Sequence, residues 1–304
     1  MAAREKNFQT WLYRAVSSLE AGEFTPFNPS DTLSANPPAP KHLTPNSYMW
    51  PAIPVPDSAD WTTGQKLLGR NGDPQQKQGV ALWLFSVTDD MQPSTAFSSL
   101  DGETLIVPQA GSLDIQTELG RLLVRQNEIA VIPRSVRYRV TLREGKVARG
   151  YVCELFEGHF QLPTLGVIGS TGLANTRDFE VPTAFFEGGA VDVDVDEGKG
   201  DGNKKKVVKA ARDKEWRIVS RLNGRLWTCT QDHTPFDVVA WHGTSYPYKY
   251  DLERFCALGN TRFDHHDPSL FTVLTAPAHG VSYLLDLSVI SSISSPYRSR
   301  QQKD

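Results

Sequence analysis

Residues 101–141 carry the most regular pattern in the chain and read DGETLIVPQA GSLDIQTELG RLLVRQNEIA VIPRSVRYRV T. Short runs rich in apolar and β-branched residues alternate here with turn residues. The turn residues are Asp101-Gly102, Gly111, Gly120 and Asn127-Glu128. Strand-length runs separated by turns at such close spacing are typical of an antiparallel meander or jelly roll, and they argue against βαβ units. The stretch therefore predicts a mainly β fold.

The same pattern continues on both sides of this stretch. The further runs are Val80–Phe85 upstream, and Arg217–Val219, Leu226–Cys229, Val238–Trp241, Phe271–Thr275 and Val281–Leu287 downstream. Their lengths and β-branched content also indicate strands. Between the two sets, residues 191–214 carry an acidic run followed by a basic run, which predicts a solvated insertion loop; a docking site is the alternative.

The first 60 residues differ from the rest because they are rich in proline, which excludes long helices. We expect them to form an extended arm that lies over the body of the protein. Only Asn7–Ser18, where Phe8, Trp11, Leu12 and Val16 recur at short intervals, has a pattern compatible with a short helix or a strand.

Composition excludes several classes of protein. The chain has 304 residues, 39% of them hydrophobic and 22% charged, which is a globular balance. Its 32 basic and 35 acidic residues argue against a general nucleic-acid-binding surface. Neither an apolar leader nor a membrane-spanning run is present, so we expect a soluble, cytoplasmic protein that does not interact with membranes. Cys153, Cys229 and Cys256 are too scattered for a disulfide framework and are expected to be reduced core thiols.

Histidines cluster near the C-terminal end of the chain. Five of the seven are His233, His242, His265, His266 and His279. The densest point is the string from Phe263 to Ser269, which reads FDHHDPS. Three interpretations remain open for this string: a metal site made by His265 and Asp267 with His279, a structural turn at Asp267-Pro268-Ser269, or an acid–base histidine.

Aromatic residues concentrate a little earlier, at Tyr246-Pro247-Tyr248-Lys249-Tyr250, directly after Trp241-His242-Gly243. Such a group is suited to lining the pocket of an aromatic ligand, although ordinary packing is the simpler interpretation. The same simple interpretation applies to His159 beside Phe160. The sequence contains no Gly-x-Ser-x-Gly elbow, no phosphate-binding P-loop and no dinucleotide-binding glycine motif.

Several longer strings together resemble the homogentisate 1,2-dioxygenase family of cupin-type enzymes, from about Trp11 to Val281. The strings are Trp11–Arg14, Leu105–Gln109, Asn127–Ile129, Gly172–Asn175, Arg177–Phe179, Pro235–Gly243, Tyr246–Tyr250, Asp267–Ser269 and Phe271–Ala276. The resemblance implies a cupin-like, jelly-roll β-sandwich with an extended N-terminal arm and a truncated second cupin-like part. It divides the chain into an arm (1–60), a β domain (61–281) and a divergent serine-rich tail (282–304).

The resemblance also implies an activity. Members of the family use Fe(II) and O2 to open the ring of homogentisate, giving maleylacetoacetate in tyrosine and phenylalanine catabolism, and they form trimers or hexamers. The family's acid–base histidine stands in a Phe-Asp-His-x-Asp-Pro-Ser string, which corresponds to His265 here. That residue type suits proton transfer at a ring hydroxyl.

The family's iron ligands stand in a further section that begins with a Tyr-Tyr-His-Arg-Asn string, and that string is not among these 304 residues. No residue of this chain is therefore assigned as a metal ligand, and we expect the chain alone to bind little Fe(II) and to cleave little homogentisate. The alternatives are a non-catalytic scaffold subunit and a truncated gene model or decayed paralogue.

Overall fold

The structure, a computed structural model, describes residues 9–27, 53–143, 147–162, 174–188, 190–195, 205–210, 215–254, 272–276 and 287–290. These residues form strands and a short 3-10 helix (Thr176–Asp178), with no α-helix among them. The strands are β1 (Thr10–Arg14), β2 (Thr25–Pro26), β3 (Gln65–Asp73), β4 (Gln78–Val87), β5 (Thr95–Ser99), β6 (Glu103–Ala110), β7 (Leu113–Thr117), β8 (Gly120–Val124), β9 (Glu128–Ile132), β10 (Tyr138–Leu142), β11 (Ala148–Leu155), β12 (Phe179–Glu180), β13 (Ala190–Val195), β14 (Lys205–Ala210), β15 (Trp216–Leu222), β16 (Arg225–Gln231), β17 (Val238–Gly243), β18 (Tyr248–Asp251), β19 (Thr272–Ala276) and β20 (Leu287–Ile290).

Two seven-stranded sheets make up most of the described chain. Sheet I has the order β2-β16-β15-β5-β10-β7-β8, and sheet II has the order β12-β18-β9-β6-β11-β4-β3. Neighbouring strands are antiparallel except for β15 and β5, which pair in parallel from Arg217 opposite Thr95 to Arg221 opposite Ser99. The predicted mainly β, antiparallel sandwich is confirmed, with this one parallel pair as an addition.

The main hydrophobic core lies between the two sheets. On β4, the buried side chains Ala81, Trp83, Phe85 and Val87 are spaced by two residues, because alternate residues of a strand face the same side. The opposing buried side chains come from sheet I, and they include Phe97, Leu113, Ile115, Leu122, Val124, Tyr138, Val140, Val219 and Leu226. The apolar residues that alternate along the strands are thus the residues that fill the core.

A second hydrophobic cluster covers the outer face of sheet II. Its buried members are Leu105, Val107, Ile129, Val131, Cys153, Leu155, Phe160, Ala174, Tyr250, Val273, Leu274 and Ala276. The segment that follows β11 and strand β19 therefore pack on the side of sheet II that faces away from sheet I. This outer layer positions the candidate site described below.

The N-terminal segment contributes a strand to the body. Of the two alternatives for Asn7–Ser18, a short helix or a strand, the structure shows the strand. β1 pairs antiparallel with β17, with Trp11 opposite His242 and Leu12 opposite Trp241. The side chain of Arg14 fastens this ribbon: its Nη2 lies 2.9 Å from Asp237 Oδ1, and its Nη1 lies 3.0 Å from Glu118 Oε1. Most of the proline-rich region, residues 28–52, lies outside the described residues.

The predicted insertion loop and the serine-rich tail each contain strands. Within the predicted insertion loop 191–214, β13 and β14 pair antiparallel, from Ala190 opposite Ala210 to Val195 opposite Lys205. Within the serine-rich tail 282–304, β20 pairs antiparallel with β19. β19 therefore has a strand partner inside the given sequence.

None of the described residues forms a helix long and apolar enough to cross a membrane.

Candidate functional site

A pocket of about 220 Å³ opens on the outer face of sheet II. Four aromatic rings line it, those of Phe160, Phe179, Tyr246 and Tyr248. Aliphatic side chains complete the apolar wall, namely Leu162, Val181 and Leu274, and the polar residues of the lining are Glu103, His159, Gln161, Thr176, Thr244 and Ser245. A concave, mostly apolar site with a few convergent polar groups has the character of a small-molecule pocket.

Glu103 and His159 form the polar centre of this pocket. Glu103 is the first residue of β6 and is only 4% exposed. Its Oε2 accepts a hydrogen bond from the backbone N–H of Phe160 at 3.0 Å and lies 3.2 Å from Nδ1 of His159. Because an ionised carboxylate can only accept, the Nδ1 of His159 is the donor in this pair, and the imidazole ring is held in one orientation.

Tyr248 stands beside this pair as a neutral group. Burial raises the pKa of Tyr248 well above its ordinary value, and the charge of Glu103 and the neighbouring Tyr246 raise it further. The ring of Tyr248 packs edge-on against that of Phe179, with 5.4 Å between ring centroids. At neutral pH the side chain of Tyr248 therefore stays a neutral phenol.

The aromatic cluster Tyr246–Tyr250 lines the pocket only in part. Tyr246 and Tyr248 belong to the lining, as the pocket interpretation predicted. Lys249 points to the other face of sheet II, where its Nζ donates to Leu123 O and to Glu128 Oε1, each at 3.0 Å. Tyr250 is buried in the second hydrophobic cluster. Lys249, the cation of this string, is therefore not part of the pocket.

The predicted acid–base residue His265 lies outside the described residues. The other members of its candidate group, Asp264, His266, Asp267 and His279, lie outside them as well. The structure consequently leaves the three interpretations of the FDHHDPS string as predictions.

The remaining histidines of the C-terminal cluster lie away from the pocket. His233 is buried, with its Nδ1 2.9 Å from Asp232 Oδ1, and His242 is exposed on β17. His159, for which packing was the simpler interpretation, is the histidine that lines the pocket. Its carboxylate partner Glu103 is 56 residues distant in sequence, so no local spacing signals the pair.

No group of three or more His, Cys, Asp or Glu side chains within the described ranges is arranged to hold a metal ion. Glu103 and His159 supply two such side chains, which is one fewer than the facial triad of a non-haem Fe(II) site. Cys153 and Cys229 are buried and unpaired, as predicted, while Cys256 lies outside the described ranges. The described residues therefore do not fit a bound iron ion.

Two seven-stranded sheets packed face to face define this protein as a β-sandwich protein. A family model described as "Homogentisate 1,2-dioxygenase N-terminal" matches residues 1–199 and 205–252, and one described as "Homogentisate 1,2-dioxygenase C-terminal" matches residues 253–291. The chain belongs to the homogentisate 1,2-dioxygenase family.

Curated relatives agree with this assignment. The homogentisate 1,2-dioxygenase of Emericella nidulans is 48% identical over 280 residues, which are 92% of this chain and 57% of the relative. The enzyme of that name from Drosophila melanogaster is 40% identical over 285 residues, which are 91% of this chain and 58% of the relative. The chain thus spans less than three fifths of the length of these relatives.

Solved structures give weaker matches. A cupin-2 domain protein from Shewanella frigidimarina is 14% identical with a TM-score of 0.25, and the match covers 32% of this chain and 83% of that protein. A cupin 2 conserved barrel domain protein from Leptotrichia buccalis is 12% identical with a TM-score of 0.25, over 61% of this chain and 80% of that protein. These limited superpositions carry no argument about ligand or activity.

The family match is wider than the motifs indicated. It includes the residues before Trp11, and it continues past Val281 to residue 291, through strand β20. Within the predicted insertion at 191–214, the match leaves out only residues 200–204, between the two strands of the β13–β14 hairpin.

Proposed function

We propose that this protein acts in the O2-dependent cleavage of the ring of homogentisate to maleylacetoacetate, in the catabolism of tyrosine and phenylalanine. The observation that carries the proposal is the 48% identity to a homogentisate 1,2-dioxygenase over 92% of the chain. An identity of this size over nearly all of the given residues supports a shared substrate as well as a shared fold.

Within this function, His265 is the acid–base residue. It stands in the Phe263–Ser269 string, and a histidine near a ring hydroxyl can accept the hydroxyl proton and return it later. That string corresponds to the family's Phe-Asp-His-x-Asp-Pro-Ser string, and this resemblance supports the role of His265.

Iron enters this proposal through the family resemblance alone. When bound, Fe(II) supplies open coordination positions for an aromatic substrate and for O2. The Tyr-Tyr-His-Arg-Asn string that opens the family's iron-ligand section is absent from the 304 residues. We therefore assign these residues the β-sandwich scaffold and the acid–base histidine, and we assign no metal ligand to them.

The test of the His265 role is substitution in the protein expressed from its complete gene. His265→Asn is expected to lower kcat by about 10²- to 10⁴-fold, the usual range for a lost general acid or base, while iron content stays unchanged. His266→Asn is the matched control, because it removes an adjacent histidine, and less than a threefold change is expected. Equal effects of the two substitutions, or loss of iron from the His265→Asn protein, would contradict the assignment.

A homo-oligomer, a trimer or a hexamer in the cytoplasm, belongs to the same proposal. Trp11 is 65% exposed and Tyr13 is 59% exposed on the same face of β1. Large exposed aromatic side chains are enriched in protein–protein contacts, so this face supports association between copies of the chain. Sedimentation of the purified protein as a monomer at micromolar concentration would argue against it.

A further inference from the structure

We propose that the pocket on the outer face of sheet II binds a small aromatic amine, a single ring that carries a short alkylammonium group. This inference is independent of ring cleavage, since it rests on the pocket's size, its charge and its aromatic walls. All three properties are argued from residues that the structure describes.

The size of the pocket suits one ring. A cavity of about 150 Å³ inside a protein can hold benzene. The pocket of sheet II measures about 220 Å³ and therefore has room for one ring with a two-carbon side chain.

The charge of the pocket favours a cation. Glu103 is 4% exposed, and within the described residues its hydrogen bonds, from the N–H of Phe160 and with His159, both involve Oε2. Among the described residues, no hydrogen-bond donor contacts its Oε1, and no lysine or arginine lines the pocket. A buried carboxylate is costly unless it is paired, so an ammonium group on the ligand would offset a charge that the lining does not fully neutralise.

The walls of the pocket favour the same ligand. Phe160, Phe179, Tyr246 and Tyr248 present four aromatic rings around a volume suited to one more. Aromatic rings attract an ammonium ion through the negative potential of their faces, and they also stack against the ring of a ligand. A ligand that carries a carboxylate, as homogentisate does, would meet the charge of Glu103 and be rejected.

The test uses three ligands of nearly equal size that share a phenol ring and differ in charge. Tyramine is a cation, 2-(4-hydroxyphenyl)ethanol is neutral, and 4-hydroxyphenylacetate is an anion at pH 7.5. Isothermal titration calorimetry of the 304-residue chain is expected to give the tightest binding for tyramine, about tenfold weaker binding for the neutral alcohol, and no measurable binding for the anion. Binding of the anion as tight as that of tyramine, or saturable binding of none of the three, would overturn the proposal.

A matched pair of variants tests whether the charge of Glu103 causes the preference for tyramine. Glu103→Gln keeps an oxygen that can accept from Phe160 N–H but removes the charge, so the preference for tyramine over the neutral alcohol is expected to disappear. Glu157→Gln removes the same charge two residues from His159, at a side chain that does not line the pocket, and less than a twofold change is expected. An unchanged preference in a folded Glu103→Gln protein would also overturn the proposal. The ligand series on the unmodified chain decides the question if that variant does not fold.

Discussion

Arg221 lies between the two sheets with only 1% of its side chain exposed, opposite Glu154, whose side chain is fully buried. Its Nη1 is 3.2 Å from Glu154 Oε2, its Nη2 donates to Gln65 Oε1 at 2.6 Å, and its guanidinium lies 3.9 Å from the ring centroid of Trp83. Glu154 also accepts from Trp83 Nε1 at 3.0 Å and from Ser99. Because each charge compensates the other out of water, neither can be removed alone without a large cost.

We therefore expect Arg221→Met to lower the free energy of unfolding by about 3–5 kcal/mol, since Glu154 would stay buried without its partner. Adding Glu154→Gln should recover part of this loss, because the amide keeps an acceptor for Trp83 and carries no charge. Urea unfolding followed by tryptophan fluorescence measures both values. The control is Arg225→Ala, at an exposed arginine of β16, with a change below about 0.5 kcal/mol. A double variant no more stable than Arg221→Met would contradict the account.

Cys153 illustrates a residue-scale property that follows from packing. Burial raises the pKa of the Cys153 thiol to about 12, and the charge of Glu154 contributes in the same direction. Burial also raises the pKa of Cys229, although Arg137 acts against it. Both thiols therefore stay protonated at neutral pH, which agrees with the prediction of inert core thiols.

At the scale of elements, the side chain of Arg14 links the ribbon of β1 and β17 to the rest of the body. Arg14 donates to Asp237, to Pro235 O and to Glu118, and Asp237 also accepts from the backbone N–H of Val16 at 2.8 Å. Asp237 is fully buried and Glu118 is 6% exposed. A two-stranded ribbon is marginal by itself, so we expect this buried ionic contact to contribute to holding β1 on the body.

Arg14→Ala should therefore release β1. We expect amide hydrogens of residues 10–14 to exchange at least tenfold faster, as hydrogen–deuterium exchange with mass spectrometry would measure, because the ribbon then opens without global unfolding. Arg121→Ala is the control: its ion pair with Asp114 lies at the surface, with 45% of the Arg121 side chain exposed, and such pairs contribute about 0–1 kcal/mol. Unchanged exchange in β1 of the Arg14→Ala protein would show that strand pairing alone suffices.

The elements also divide into those that the sequence predicted and those that it did not. The predicted runs Val80–Phe85, Leu226–Cys229 and Val238–Trp241 differ from the observed strands β4, β16 and β17 by a few residues at their ends. β3, Gln65–Asp73, was missed because it is an edge strand of mostly polar residues, one of which is buried, with a register shift near Gly69. β18 was missed because its tyrosines were interpreted as a cluster rather than as alternate residues of a strand.

At the scale of the whole molecule, the described residues contain a complete core between two sheets, while the chain spans 57% of the Emericella nidulans relative. The requirements for a hydrophobic core and those for an iron site are therefore separate. A β-sandwich needs only enough apolar area to bury, whereas an Fe(II) site needs three ligands on one face.

The 304-residue chain, purified without tags that bind metals and supplied with Fe(II) under anaerobic conditions, is expected to retain iron far below one ion per chain after desalting. It should also form no ring-opened product from homogentisate and O2. Elemental analysis and an absorbance assay measure the two quantities, and a full-length relative such as that of Emericella nidulans serves as the positive control. Stoichiometric iron together with ring-opened product would contradict this expectation.

The sequence by itself determined the fold class and the family, because both depend on local properties: the alternation of apolar residues in strands, the turn residues between them, and strings of adjacent residues. Only the tertiary structure decided which distant residues meet. Asp101, which begins the stretch 101–141, marks a turn in the sequence. In the structure its carboxylate also accepts from the backbone N–H of Asn223 at 2.6 Å and of Gly224 at 2.7 Å. Glu103, two residues later, meets His159 in the same way. Contacts across 56 or 122 residues are set by strand order and register, for which no local pattern exists.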